Sequence, residues 1–209
     1  ILTDDNFATI IKAVAAGRNV YANIRNAIIY LLGGNLSGII TVLCASLFAL
    51  PVPFLPVHLL FINLITDSLP ALAIGMEKSA QDVLKQAPRD PSQGILDKET
   101  LKTLGVQGAL IAIVTIAAYF IGLSHSWAEA TTMAFAVLCL ARLFHGFNCR
   151  SKYSLRHIAL FSNRYSIAAF IAGGALLSII LLVPGLHNLF SVTILNGTQL
   201  AMIVCLAIL

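Results

Sequence analysis

Charge is what this chain has least of. Asp, Glu, Lys and Arg make up 11% of its 209 residues, against roughly 25% in a soluble domain. So little charge cannot cover a water-facing surface, which excludes an ordinary soluble globule. Cysteine is sparse too. Cys44, Cys139, Cys149 and Cys205 show no CxxC spacing and lie in or beside apolar runs. They are expected to be small buried hydrophobes, which argues against a zinc site or a disulfide framework. The chain contains no DKTG or TGE run and no nucleotide-binding domain, so ATP hydrolysis by these residues alone is excluded. It opens on Ile1 rather than Met, has no charged stretch leading into a short apolar one, and closes at Leu209 inside an apolar run. The expectation is a piece of a longer protein without a signal peptide.

What is present is hydrocarbon. Hydrophobic residues make up 58% of the chain, with a mean hydropathy of +0.90. At about 20 apolar residues per bilayer crossing, the uncharged runs predict six spans, near 27–50, 57–76, 101–123, 129–148, 164–183 and 192–209. Asn196, Gly197 and Gln199 interrupt the start of the last one. The excess of 13 Lys and Arg over 9 Asp and Glu speaks to topology, and no nucleic-acid partner is expected. Twelve of the basic residues fall in the N-terminal segment and in the connections around 77–100 and 149–163. Pro51–Pro56, Ser124–Ala128 and Pro184–Ser191 hold none. The positive-inside rule therefore predicts a cytoplasmic N-terminus and cytoplasmic 77–100 and 149–163 loops.

From Ala8 to Ala49 there is no proline, and Asp4 and Asp5 stand where negative charge suits a helix start. A continuous helix over those 42 residues would reach about 63 Å, twice the hydrocarbon thickness. Its first half carries Lys12, Arg18, Asn19, Asn23 and Arg25 and is expected to stand in water as a stalk. The alternative is a surface helix and a separate span, broken near Gly33-Gly34. The predicted fold is all-α: a polytopic six-helix membrane bundle with a long cytoplasmic extension on its first helix. Residues 1–26 form the extension and 27–209 the transmembrane domain.

Two ionisable groups lie deep inside spans, Asp67 and Arg142. A charge at the bilayer centre costs roughly 2.5–3.5 kcal/mol on insertion scales, and such residues mark ion pathways. In Asn63-Leu-Ile-Thr-Asp67, positions i, i+3 and i+4 share one α-helical face. They offer an amide, a hydroxyl and a carboxylate, oxygen donors suited to a hard cation. Pro70 has no N–H for the carbonyl of Thr66 and predicts a helix break that frees backbone oxygens there. Asn35, in Gly33-Gly-Asn-Leu-Ser-Gly38, is a second candidate ligand; alternatively it and Ser37 bond neighbouring helices. For Arg142 two readings stand. It pairs with Asp67, filling with fixed charge a space a cation could take, or it snorkels toward Arg150.

Leu2-Thr-Asp-Asp-Asn-Phe7, Gly17-Arg-Asn-Val-Tyr21, Asn63-Leu-Ile-Thr-Asp67, Leu69-Pro-Ala71 and Pro88-Arg-Asp-Pro91 together resemble the C-terminal membrane half of the type II P-type cation-transporting ATPases, in their calcium-pump subgroup. The resemblance covers essentially the whole chain. It implies the family's fifth to tenth transmembrane helices, with residues 2–7 closing the phosphorylation domain. It further implies Ca²⁺ as transported ion, with Asn63 and Asp67 as ligands of one calcium site and Thr66 and Asn35 as ligands of another. Where two-site pumps carry glutamates, this chain has Gly38 and Arg142. The resemblance thus implies one site centred on Asn63 and Asp67, with Arg142 in place of the second. The fourth helix, the phosphorylation domain, ATP and Mg²⁺ would belong to the rest of the parent chain, in a bacterial plasma membrane. Pumping of Mn²⁺, Na⁺ or H⁺, an ATP-independent transporter and a scaffold bundle are the alternatives.

Overall fold

The computed structural model describes residues 7–78, 84, 94–150 and 162–209. Expectations placed on residues 1–6 and on most of the 77–100 and 149–163 connections lie outside the described residues. Among the described residues the chain is helical, without a strand. Helix α1 runs from Phe7 to Leu47 without interruption, 41 residues or about 62 Å, so it is continuous through Gly33-Gly34. Helix α2, Pro56–Gly75, is composite: α over Pro56–Phe61, π over Ile62–Asp67, and α again over Ser68–Gly75. Helices α3 (Lys98–Leu123), α4 (Trp127–Asn148) and α5 (Arg164–Leu182) follow, then the short α6 (Pro184–Phe190) and α7 (Gly197–Ile208).

Helix starts are written in side chains that accept from the otherwise unbonded N–H groups of the first turn. Asp97 accepts from the Thr100 amide at 2.7 Å and opens α3. Ser126 accepts from the Glu129 amide at 3.1 Å and opens α4. Asn163 caps α5 through the amides of Tyr165 and Ser166. At α7 the same chemistry moves the start of the expected last span. Asn196 accepts from the Gln199 amide at 2.9 Å, and Gln199 accepts from the Asn196 amide at 2.8 Å. The residues expected to interrupt a span at 192–209 form the capping box that begins a 12-residue helix at Gly197. Among the described residues five helices are long and apolar enough to cross a membrane, and α7 is a shorter apolar one. The Pro184–Ser191 connection, in turn, contains α6.

Helix α4 is the axis of the bundle. Every residue from Ala130 to Cys139 is buried, as befits a helix apolar on all sides. Small side chains on it let neighbours approach closely. At Gly122 of α3, an added Cβ would lie 2.4 Å from the Cα of Ala130, so only glycine permits that crossing. On the Pro51–Pro56 side, Tyr119 donates to the Pro51 carbonyl at 2.6 Å and the Trp127 indole to that of Val52 at 3.1 Å. Trp127 therefore ties the start of α4 to that loop. Beside it, Glu129 accepts from the Gln199 amide group.

Candidate functional site

The site lies where α1, α2 and α4 meet. Residues 62–67 of α2 are wound as a π-helix rather than an α-helix, a form that recurs at functional sites. Its wider turn alters the expected single face: Thr66 and Asp67 point inward and are buried, whereas Asn63 is exposed. Pro70 does not end the helix, which continues to Gly75. The carbonyl of Thr66, left without the N–H of a residue at position 70, instead accepts from the Tyr30 hydroxyl at 2.5 Å. The break expected at Pro70 is thus a π segment closed by a side chain from α1. The Thr66 hydroxyl is also engaged, donating to the Ile62 carbonyl at 2.9 Å. Ser68 donates to the Asn63 carbonyl at 3.1 Å, while no hydrogen bond of the Asn63 amide falls among the described residues.

Arg142 of α4 reaches into this region rather than toward Arg150. Its Nη1 donates to Asp67 Oδ1 at 2.8 Å, and its Nη2 to Asn35 Oδ1 at 3.1 Å. Arg142 is 1% exposed and Asp67 4%, so this is a buried ion pair in which the Coulomb attraction is strong and unscreened. Nε has no hydrogen-bond partner among the described residues. The guanidinium lies flat across Gly34, where a Cβ would meet Nε, Nη2 and Cζ at 2.7–2.9 Å. Of the predicted site residues, the structure joins Asp67, Asn35 and Arg142 directly, places Thr66 against Tyr30, and leaves Asn63 on the outer face.

A cluster toward the stalk extends the site. Tyr30 stacks on His145 with ring centroids 5.9 Å apart, and His145 Nε2 lies 3.2 Å from Cys149 Sγ. Just beyond α4, burial pushes the Cys149 thiol up to about 12. Among the described residues no three His, Cys, Asp or Glu side chains gather into a metal cluster.

The sequence reading missed a second centre at the far end of α2. The Glu77 carboxylate accepts from Arg150 Nε at 2.8 Å, Arg150 Nη2 at 3.0 Å and Asn163 Nδ2 at 2.8 Å. The Glu77 carbonyl accepts from Asn23 Nδ2 at 2.9 Å and Asn19 Nδ2 at 3.2 Å. Asn23, expected to stand in water, is buried. This knot fastens the first half of α1 to the ends of α2 and α4 and the start of α5. Asn19 and Asn23 at i and i+4 on one helix were its sole signal in the sequence, since Glu77 and Arg150 each sit in a connection.

A bundle of long apolar helices with a buried carboxylate–guanidinium pair at a π segment defines an integral, multi-pass membrane protein. The family described as "Cation transporting ATPase, C-terminus" matches residues 51–209. A calcium-transporting ATPase of Bacillus subtilis is 42% identical over 193 residues, 91% of this chain and 22% of that protein. One from Listeria monocytogenes is 44% identical, covering 92% of this chain and 22% of the relative. An endoplasmic reticulum calcium ATPase of Aspergillus fumigatus is 29% identical over 95% of the chain and 24% of its own length. This chain belongs to the cation-transporting ATPase C-terminal family, the C-terminal membrane region of P-type ATPases. It spans about a quarter or less of the length of these relatives.

Proposed function

We propose that the chain is the ion-carrying membrane segment of an ATP-driven pump that exports Ca²⁺ through one site centred on Asn63 and Asp67. The observation that carries this reading is the placement of Arg142, buried between Asp67 and Asn35. A fixed positive charge stands there in the position of a cation. At about 4 Å and an effective dielectric of about 20, a unit charge pair interacts by about 4 kcal/mol, and a divalent ion doubles that. A second divalent ion does not share the space, so the site holds one. The exposed Asn63 amide supports the other half of the reading. An amide left toward hydrocarbon is costly, and a fourth helix of the parent supplying further ligands would cover it. The hydrogen bonds of Asp67 fall on Oδ1, leaving Oδ2 for that ion. Thr66 sits beside it as the residue whose backbone and hydroxyl shape the π segment.

Residues 1–26 are the end of the phosphorylation domain and the stalk, and 27–209 the transport domain. The N-terminus and the 77–100 and 149–163 loops face the cytoplasm of a bacterium, where the parent's missing domains use ATP and Mg²⁺. Phosphorylation there moves the stalk, and the Tyr30–Thr66 bond and the Glu77–Arg150 knot pass that movement to α2. Transport follows if the two conformations differ in ion affinity. The relatives' names support calcium as the ion. The test is the ion-to-ATP ratio of the intact parent in vesicles, with Asp67→Asn beside it. One Ca²⁺ per ATP, and no Ca²⁺-stimulated turnover in Asp67→Asn, are expected. Two ions per cycle would overturn the single site. Stimulation by Mn²⁺, Na⁺ or protons but not by Ca²⁺ would overturn the choice of ion.

A further inference from the structure

We infer that Gly34 is the positioning residue that seats the Arg142 guanidinium in the ion site, making a side chain at position 34 and a bound guanidinium mutually exclusive. The inference rests on the single-site reading above for its consequence, and on geometry for its cause. Position 34 lies on the buried face of α1, between Gly33 and the candidate ligand Asn35. A Cβ there would approach Nε, Nη2 and Cζ of Arg142 to 2.7, 2.8 and 2.9 Å, below any normal carbon contact distance. Those three atoms form the planar core of the guanidinium. The group is held by its two terminal nitrogens, Nη1 donating to Asp67 at 2.8 Å and Nη2 to Asn35 at 3.1 Å. The group is held between two oxygen acceptors and a bare helix backbone, so it cannot yield without releasing one of them. Arg142 Nε, buried with no hydrogen-bond partner among the described residues, shows the same fit from the other side. The Nε–H lies in the guanidinium plane and meets no acceptor there. Nearby glycines behave differently. Gly38, one turn further along α1, has nothing within 4 Å of its absent Cβ.

Any residue larger than glycine at 34 therefore drives the guanidinium off at least one of Asn35 and Asp67. Position 34 then decides whether the positive charge occupies the site, although residue 34 touches neither ion nor carboxylate. Its effect is transmitted wholly through Arg142, which sets the design of the test.

The intact pump is prepared as Gly34→Ala, Arg142→Ala and the double variant, with Gly38→Ala as a control. The Ca²⁺ concentration giving half-maximal ATPase is read for each. Gly34→Ala is expected to lower that concentration by about tenfold, the scale of losing one charged hydrogen bond at the site, because the repelling charge leaves Asp67. In the Arg142→Ala background the same change is expected to shift it less than about twofold, because there is no guanidinium to displace. Equal shifts in both backgrounds, or none in the parent background, would overturn the interlock. A Gly34→Ala pump too unstable to assay, but restored to full turnover by Arg142→Ala, supports it; failure of that rescue overturns it. A wild-type ratio of two ions per ATP would defeat the single-site reading while leaving this cycle decisive for the interlock.

Discussion

Arg142→Ala should make the folding of this membrane domain depend on calcium. In the unsubstituted chain, Asp67 is 4% exposed and its charge is met by a guanidinium at 2.8 Å. Removing one partner of a buried pair strands the other, at a cost of about 3–5 kcal/mol. The cost comes from an uncompensated carboxylate, so a cation that binds it cancels the penalty by mass action. Ca²⁺ at about 100 times its dissociation constant contributes about 2.7 kcal/mol, enough to recover most of the loss. Thermal unfolding of the purified intact pump in nanodiscs, with excess Ca²⁺ or chelator, reads this directly. The variant should fall well below wild type in chelator and approach it in Ca²⁺. Asp67→Asn should be destabilised in both, because a stranded guanidinium gains nothing from a cation. Arg142→Ala as stable as wild type in chelator, or equally weakened with and without Ca²⁺, would refute the account of the pair.

Three further outcomes are expected. Tyr30→Phe deletes the donor to the Thr66 carbonyl and leaves a buried acceptor unsatisfied, costing about 1–3 kcal/mol; slowed Ca²⁺-dependent turnover with unchanged expression is the readout. Gly122→Val forces side-chain atoms into the Ala130 backbone and should abolish accumulation of folded protein on size-exclusion chromatography. Gly105→Ala on the same helix, with nothing within 4 Å, should match or exceed wild type by up to about 1 kcal/mol. Glu77→Ala removes the carboxylate paired with Arg150, whose side chain is 1% exposed, and should destabilise by about 3–5 kcal/mol. Restored stability on adding Arg150→Met would confirm that the stranded charge is the cause, and equal loss in both variants would argue against it.

Hydropathy and charge alone determine that this chain is a bundle of membrane helices, because hydrocarbon tolerates nothing but long, internally bonded apolar segments. The continuity of α1 was also legible, since no proline interrupts residues 8–49. The start of α7 was legible only as polar residues, because Asn196 and Gln199 serve equally as an interruption or a cap until the backbone around them is known. Asp67 and Arg142 announced themselves because burying a charge is expensive wherever it occurs. Their meeting across 75 positions of chain was not in the periodicity, because it depends on how α1, α2 and α4 pack. The π winding of residues 62–67 likewise follows from a Tyr30 hydroxyl on another helix taking the carbonyl that Pro70 leaves free. Packing also turned Asn63 away from Thr66, drew Asn23 into a buried knot around Glu77, and made a bare glycine at position 34 the floor on which a guanidinium rests. Local sequence sets which groups must be satisfied; the arrangement of neighbouring helices decides by whom.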